Sequence, residues 1–392
     1  MQRIYWIEEI AERFFVQPVV GLLGPRQCGK TTLARAYVAE CAERNPQLSI
    51  TSFDLEDPTD IAALTNPRLA LQDLTGLVII DEIQRVPELF PLLRVLVDRP
   101  QNGARFLVLG SASRDLLRQS SETLAGRIGY IELTGFSLDE TGTSFLPTLW
   151  QRGGFPRAFL ATTEAASRQW RKDYIATFLE RDIPALGINI APKSLRRFWS
   201  MLAHYHGQII NYSELGRSFG ASDTTIRRYI DILEGTFMVR QLQPWFANID
   251  KRQVKAPKIY FRDTGLLHSL LEIPDQAALN KTPKLGASWE GFALEAVIRA
   301  RRLASEECSF WATHGGAELD LFINAASKRE GVEFKYTDRP ATTKSMHAAM
   351  ESLNLDKLTV IYPGERSFAL TDKVEAVGLA EYVMAHTNKV GI

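Results

Sequence analysis

The sequence predicts an α/β chain of several modules. A parallel sheet built around a phosphate-binding loop comes first, then a helix-turn-helix segment with a β-ribbon, then a second α/β module. Three observations predict this. Gly24-Pro25-Arg26-Gln27-Cys28-Gly29-Lys30-Thr31 fits G-x-x-x-x-G-K-[ST] with no mismatch. Fifty residues beyond Thr31, the apolar run Leu77-Val78-Ile79-Ile80 ends in the paired acids Asp81-Glu82. Far downstream, Glu318-Leu319-Asp320 precedes Glu333-Phe334-Lys335, the spacing of acids and a lysine on two neighbouring strands.

The loop sits where a phosphate cradle needs it. Pro18-Val19-Val20-Gly21-Leu22-Leu23 reads as a buried strand and Thr32-Leu33-Ala34-Arg35-Ala36-Tyr37 as a helix. Backbone N–H groups of the loop then face the phosphates, and the helix N-terminus adds positive potential. Lys30 is expected to reach the β- and γ-phosphates of ATP, and Thr31 to bind Mg²⁺ through its hydroxyl. Gly24, Pro25, Arg26, Gln27, Cys28, Gly29, Lys30, Thr31 and Thr32 are the expected nucleotide-binding residues. Asp81 is the second expected Mg²⁺ residue, and Glu82 the general base that polarises the attacking water.

A strand is also expected over 48–54. Another, Ala104-Arg105-Phe106-Leu107-Val108-Leu109-Gly110, runs into Ser111-Ala112-Ser113. Ser111 or Ser113 is placed to sense the γ-phosphate; Ser113 reads equally as the N-cap of a following helix. Arg127 precedes a short strand, Tyr130-Ile131-Glu132-Leu133. It is either an ordinary surface arginine or a finger reaching a neighbour's γ-phosphate in a homo-oligomer.

Together Gly24–Thr32, Asp81-Glu82-Ile83-Gln84, Gly110-Ser111-Ala112-Ser113 and Gly126-Arg127 resemble one branch of the prokaryotic AAA+ ATPases, that with a C-terminal domain of unknown function. Gly153-Gly154-Phe155-Pro156-Arg157, Leu179-Glu180-Arg181-Asp182-Ile183 and Lys255-Ala256-Pro257-Lys258-Ile259-Tyr260-Phe261-x-Asp263-x-Gly265-Leu266 extend the resemblance over nearly the whole chain. It implies a P-loop AAA+-type sheet in which the Asp-Glu strand is not adjacent to the loop strand.

Residues 1–150 are therefore expected to form the ATPase core, 151–190 a helical lid or linker, 191–275 a winged helix-turn-helix, and 280–392 a restriction-endonuclease-like PD-(D/E)XK module. Asn211 and Glu214 give a capping pattern, Gly220 stops that helix, and Ser222 caps the next. Phe237–Leu242 and Lys258–Phe261 follow as a ribbon, which completes a winged helix. Between 193 and 262 twelve Lys and Arg face five Asp and Glu in a chain of net charge zero. This local excess points to phosphate-backbone contact with DNA, with Thr224, Thr225, Arg227 and Arg228 as the contacting residues. Winged helices also serve as protein-contact modules, and that reading stays open.

In the last module, period-two alternation puts Glu318, Asp320 and Phe322 on one strand face and Glu333 with Lys335 on another. With Glu290 from the preceding helix, Asp320, Glu333 and Lys335 form a second expected metal site, of the nuclease type.

The charged fraction of 23% and apolar fraction of 45% are those of an ordinary globular chain. Three widely spaced cysteines argue against a disulfide framework and against structural zinc. No apolar run reaches the ~20 residues of a membrane span, and Glu8 and Glu9 interrupt any leader-like start, so a cytoplasmic protein is expected. The function expected is an Mg-dependent ATP hydrolase that couples nucleotide state to DNA binding or remodelling. The alternatives are an ATP-driven switch acting on a protein partner in signalling or defence, and an ATP-gated metal-dependent DNA nuclease.

Overall fold

The computed structural model describes residues 3–100, 103–112, 124–186, 188, 190–245 and 255–387. The chain divides into two compact units. One contains Met1–Gly135, Arg181–Asn189 and Asp231–Met238; the other contains Phe136–Glu180, Ile190–Ile230 and Val239–Ile392.

The first unit holds a five-stranded parallel sheet of β1 (Val19–Leu23), β2 (Ile50–Asp54), β3 (Gly76–Asp81), β4 (Ala104–Gly110) and β5 (Ile128–Glu132), in the order β2-β3-β4-β1-β5. Alternate residues of the central strands enter different cores. Val19, Val78, Ile80, Phe106 and Val108 pack into one, and Val20, Leu22, Leu77, Ile79, Leu107 and Leu109 into the other. Burial on both faces explains why these strands read as unbroken apolar runs. β4 lies between β1 and β3, so the Asp81-Glu82 strand is not adjacent to the loop strand and residue 111 emerges between them. This is the P-loop topology expected.

The second unit holds two sheets. β6 (Gln208–Ile209), β7 (Val239–Leu242) and β8 (Lys258–Phe261) form an antiparallel sheet ordered β6-β8-β7. A six-stranded mixed sheet is ordered β13-β14-β12-β11-β10-β9. Its strands are β9 (Cys308–Ala312), β10 (Glu318–Ala325), β11 (Lys328–Phe334), β12 (Lys357–Tyr362), β13 (Phe368–Ala369) and β14 (Val374–Gly378). The helix Leu285–Ala300 covers one face and the helix Lys344–Leu353 the other.

Several boundaries differ from those expected. The sheet unit ends at Gly135 and not at 150, because Phe136, Leu138, Leu149 and Trp150 are buried in the core of the second unit. The segment 151–190 is helical but forms no body of its own: 151–180 belongs to the second unit and 181–189 to the first. The strand expected from Phe237 begins at Val239, since Phe237 has φ 64° and turns the chain out of the preceding helix.

Strict alternation also fails in β10. The pairing with β9 shifts register between Leu319 and Phe322. Leu319 and Phe322 therefore share one core while Leu321 and Ile323 enter the other. Glu318, Asp320 and Phe322 are not a simple one-face row, because such a bulge re-aims the side chains on either side of it.

The motifs at 153–154 and 263–266 meet in the second unit. Asp263 accepts hydrogen bonds from the Leu266 N–H at 2.9 Å and the Gly154 N–H at 2.7 Å. A Cβ on Gly153 would lie 2.1 Å from the Asp263 carboxylate, and one on Gly265 2.0 Å from the Arg152 carbonyl. These glycines are required by close approach, and the motifs they belong to act here as a clasp.

Candidate functional site

The loop after β1 is shaped by its glycines. Gly29 has φ 102° and Gln27 φ 62°, which turns successive N–H groups inward ahead of the helix Lys30–Arg44. Gly24 has no room for a side chain, since a Cβ there would stand 2.1 Å from the Leu133 carbonyl. Pro25 and Cys28 are buried, and Gln27 and Thr32 are exposed. Burial pushes the Cys28 thiol up. That makes Cys28 a packing residue and not a ready nucleophile.

Lys30 is buried, and its Nζ donates to the carbonyls of Gly24 at 2.9 Å and Pro25 at 3.0 Å. Its charge rests on main-chain oxygen inside the loop, and among the described residues no carboxylate is paired with it. The Thr31 hydroxyl donates to Asp81 Oδ2 at 2.7 Å. Burial raises the Asp81 pKa, while the Thr31 bond opposes the shift. A hydroxyl and a carboxylate meeting beside a phosphate loop are hard oxygen donors, and they suit Mg²⁺.

Glu82 has φ 55°, an uncommon conformation for a residue with a side chain, and its side chain is held in place. The Ser111 hydroxyl donates to Glu82 Oε2 at 3.2 Å, and Gln84 Nε2 donates both to Glu82 and, at 2.9 Å, to Ser111 Oγ. Ser111, at the end of β4, thus lies against Glu82. Ser113 lies outside the described residues. Gln84 was not among the residues singled out in the sequence, although it stands in the Asp81-Glu82-Ile83-Gln84 motif.

Arg26 points away from the loop interior. It pairs with Glu56, and its Nη1 lies 2.5 Å from Asp182 Oδ1. Arg127 Nε lies 2.6 Å from Asp98 Oδ1 and Nη1 donates to the Ala125 carbonyl at 3.1 Å. Within the chain, then, Arg127 is engaged with an acid of its own unit.

The helix-turn-helix is capped as its sequence demands. Asn211 Oδ1 accepts from the Glu214 N–H at 3.1 Å, Gly220 takes φ 80°, and Ser222 Oγ accepts from the Thr225 N–H at 3.2 Å. The helices span Tyr212–Phe219 and Asp223–Gly235. Thr224, Arg227 and Arg228 are exposed and Thr225 is half-buried. The Arg227 guanidinium stacks 3.6 Å from the centre of the Tyr212 ring.

The local positive charge is smaller on the surface than in the sequence. Lys193, Arg196, Arg197, Arg217, Arg227, Arg228 and Lys255 are exposed. Arg240, Lys258 and Arg262 are not; they neutralise internal acids. Arg240 lies 2.5 Å from Glu295 Oε1, with Arg299 and Arg262 at 3.6 and 3.7 Å from Oε2. Burial alone would raise the Glu295 pKa, but the three guanidiniums hold it down at about 2.

The expected second metal site is assembled in part. The Asp320 N–H donates to Glu333 Oε2 at 3.3 Å, Asp320 Oδ2 accepts the Phe334 N–H at 3.1 Å, and Lys335 Nζ lies 2.7 Å from Glu333 Oε1. Glu290 does not stand free beside them. Its Oε1 accepts from the Tyr260 hydroxyl at 2.5 Å and from Lys258 Nζ at 3.3 Å. Lys258 Nζ is also 3.1 Å from Asp320 Oδ1 and is paired with Glu318.

Burial would depress the Lys258 pKa, but Tyr260 and the acids around it raise it well above the ordinary value. Burial and the nearby Asp320 push Glu290 up to about 7 and Glu333 up to about 8. Among the described residues no group of three or more His, Cys, Asp or Glu is arranged to hold a metal ion. The residues expected to form the second metal site, Glu290, Asp320, Glu333 and Lys335, are joined there by a lysine from β8 that the sequence reading did not place among them. The sequence signal for it was a lysine inside the otherwise apolar strand Lys258-Ile259-Tyr260-Phe261, all four residues of which are buried.

Comparison with known proteins divides the chain into three consecutive segments. A family model described as an AAA domain matches residues 16–142. Two models of domains of unknown function, DUF8612 and DUF4143, match residues 144–277 and 285–382. Mycobacterium tuberculosis has a relative, "Uncharacterized protein Rv2008c", that is 51% identical over 360 residues, covering 92% of this chain and 80% of the relative. The Mycobacterium bovis relative "Uncharacterized protein Mb2031c" matches to the same extent. Among solved structures, the Walker-type ATPase PABY2304 of Pyrococcus abyssi is 15% identical, covering 69% of this chain and 95% of that one at a TM-score of 0.48. AMPPCP-bound DnaA from Aquifex aeolicus is 16% identical, covering 59% and 87% at a TM-score of 0.32. Among the described residues no helix is long and apolar enough to cross a membrane.

Proposed function

This chain belongs to the family of its mycobacterial relatives and joins an AAA-type P-loop ATPase domain to a DUF4143 domain, and on that premise we propose that it is an Mg-ATP hydrolase whose nucleotide state is coupled to DNA. One observation carries the ATPase half. The base candidate Glu82, the sensor candidate Ser111 and the metal candidates Thr31 and Asp81 converge around one phosphate loop, with Glu82 already oriented by two hydrogen bonds.

Lys30 sits on carbonyl oxygens that γ-phosphate oxygens readily replace, so it moves to the nucleotide without breaking an ion pair. The loop amides and the helix N-terminus hold the β-phosphate. Thr31 and Asp81 hold Mg²⁺, which when bound neutralises charge on the β- and γ-phosphates. Glu82 takes the proton of the attacking water, and Ser111 reports the γ-phosphate to β4.

Arg127 acts in trans across a homo-oligomer, exchanging Asp98 for a neighbour's γ-phosphate. Its pairing with an exposed acid favours this exchange, because a surface ion pair is cheap to give up. Mixing Lys30→Ala chains, which lack a working site, with Arg127→Ala chains, which lack a finger, should restore part of the turnover that neither has alone. If the mixture stays inactive, Arg127 has no role in trans.

The DNA half rests on the exposed basic residues of the helix-turn-helix, with Arg227 and Arg228 on the outer face of its second helix and Thr224 and Thr225 at its start. The decisive measurement is the ATPase rate at low salt with and without duplex, single-stranded and branched DNA. Wild type should be stimulated by at least one of these, and Arg227→Ala/Arg228→Ala should lose the stimulation while keeping the basal rate. Equal rates with and without every DNA would remove the DNA reading and favour a switch that acts on a protein partner.

A further inference from the structure

The acids of the C-terminal module already have a cation, and it belongs to the chain. Lys258 Nζ is buried, lies 3.1 Å from Asp320 Oδ1 and 3.3 Å from Glu290 Oε1, and pairs with Glu318. An ammonium has three donors, and here three carboxylates meet it. Oxygens of Asp320 and Glu333 beyond these are committed as well. Asp320 Oδ2 is bonded to the Phe334 N–H, Glu333 Oε2 to the Asp320 N–H, and Glu333 Oε1 to Lys335. Glu290 Oε1 also takes the Tyr260 hydroxyl.

A divalent ion of the Mg²⁺ or Mn²⁺ class needs direct oxygen contacts at about 2 Å and several of them at once. Among the oxygens it would use are Glu290 Oε1 and Asp320 Oδ1, the two that face Lys258. Two cations cannot share them, because the repulsion between an ammonium and a dication a few ångströms apart in a buried site is large.

We infer that Lys258 is the resident cation of this centre and excludes divalent metal from it, so that the module is a closed, metal-free lock. Lys258 stands on β8 and Asp320 at the register shift of β10, so the same contact pins the short ribbon to the large sheet. Withdrawal of Lys258 would do two things together: free β8 from that tie and expose Glu290, Asp320 and Glu333 to a metal ion. The inference does not depend on the ATPase reading, since none of these residues belongs to the first unit.

The test is Mn²⁺ binding by the nucleotide-free full-length chain, followed by electron paramagnetic resonance. Any ion held near Thr31 and Asp81 is common to every variant and cancels in the comparison. Wild type and Asp320→Asn should titrate alike. Lys258→Met should gain one Mn²⁺ per chain, and Lys258→Met/Asp320→Asn should lose it again. A wild-type chain that holds an Mn²⁺ ion removed by Asp320→Asn overturns the inference, and so does a folded Lys258→Met chain that gains none. Should Lys258→Met fail to fold, the comparison of wild type with Asp320→Asn decides alone: identical titrations support the lock, and a wild-type site missing from Asp320→Asn refutes it.

Discussion

The two units each bring a lysine together with a set of acids, and they use them in opposite ways. In the first unit Lys30 rests on two main-chain carbonyls, and Asp81 and Glu82 are held by hydroxyl and amide donors. Among the described residues no positive side chain there forms an ion pair with Asp81 or Glu82. In the second unit Lys258 is spent on Glu290, Glu318 and Asp320, and Lys335 on Glu333. The same residue types at plausible spacings thus give a centre poised for a cationic ligand in one place and a self-neutralised centre in the other. What separates them is whether the chain supplies the counter-ion, and that depends on a residue far away in sequence. The comparison has a sharp consequence. Substitutions in the first centre should cost turnover and leave stability nearly unchanged, while substitutions in the second unit's charge clusters should cost stability and leave basal turnover unchanged.

The largest expected effect is on turnover. Glu82→Gln removes the base but keeps the size and the hydrogen-bonding reach of the side chain. It should bind ATP as wild type does and hydrolyse it roughly 10²–10⁴-fold more slowly. Lys30→Ala should lose nucleotide affinity as well. Neither should shift the midpoint of urea unfolding appreciably. Normal hydrolysis by Glu82→Gln would show that the base lies elsewhere, and a large loss of stability would break the contrast between the two centres.

The first centre was legible in the sequence because its parts are local. The phosphate loop is eight consecutive residues, and Asp81-Glu82 ends an apolar run whose burial on both faces makes it conspicuous. Even there Gln84 went unassigned, since its contact with Glu82 depends on the turn that follows Asp81. The second centre was legible only in half. Glu318, Asp320, Glu333 and Lys335 lie within one hairpin and its continuation, and their proximity follows from strand pairing. Lys258 comes from another sheet, and nothing in its local sequence says which acids it meets. The register shift between Leu319 and Phe322 was equally hidden, because period-two alternation assumes a regular ladder. The basic excess between residues 193 and 262 is only partly surface charge, because Arg240 and Arg262 serve Glu295 and Lys258 serves the acidic centre. The burial at 136–150 was equally hidden, since apolar residues next to the first unit in sequence are buried in the core of the second.

Glu295 offers the corresponding test of the second unit. It is buried, and its charge is balanced by Arg240, Arg262 and Arg299. Glu295→Ala leaves three guanidiniums without their shared acid. Breaking a buried ion pair from one side typically costs about 3–5 kcal/mol, and urea denaturation should report a loss of that size. Basal ATPase activity, measured where the variant is still folded, should match wild type. Loss of turnover by a folded Glu295→Ala chain would mean that the charge cluster carries more than stability, and the contrast would have to be redrawn.

The smallest expected effect is a pH dependence seated in the second unit. His206 and His268 are buried there, and burial lowers their pKa values to about 3 and about 4. Each is held neutral by its contacts. His206 Nδ1 accepts the Phe261 N–H at 2.9 Å. His268 Nδ1 donates to the Gln151 carbonyl, leaving Nε2 to accept from the Ser288 hydroxyl at 2.7 Å. The unfolded chain protonates both near the ordinary value of 6.5, whereas the folded chain does not. Below that value the unfolded state therefore binds more protons, and acid favours unfolding. The stability these residues contribute is fully present above pH 6.5 and falls as the pH is lowered toward 4. Each histidine adds a slope of up to about 1.4 kcal/mol per pH unit. Urea unfolding at a series of pH values should show this decline, and His268→Gln should make it shallower. An unchanged slope in that variant would mean that His268 is protonated in the folded chain, with its ring no longer accepting from Ser288.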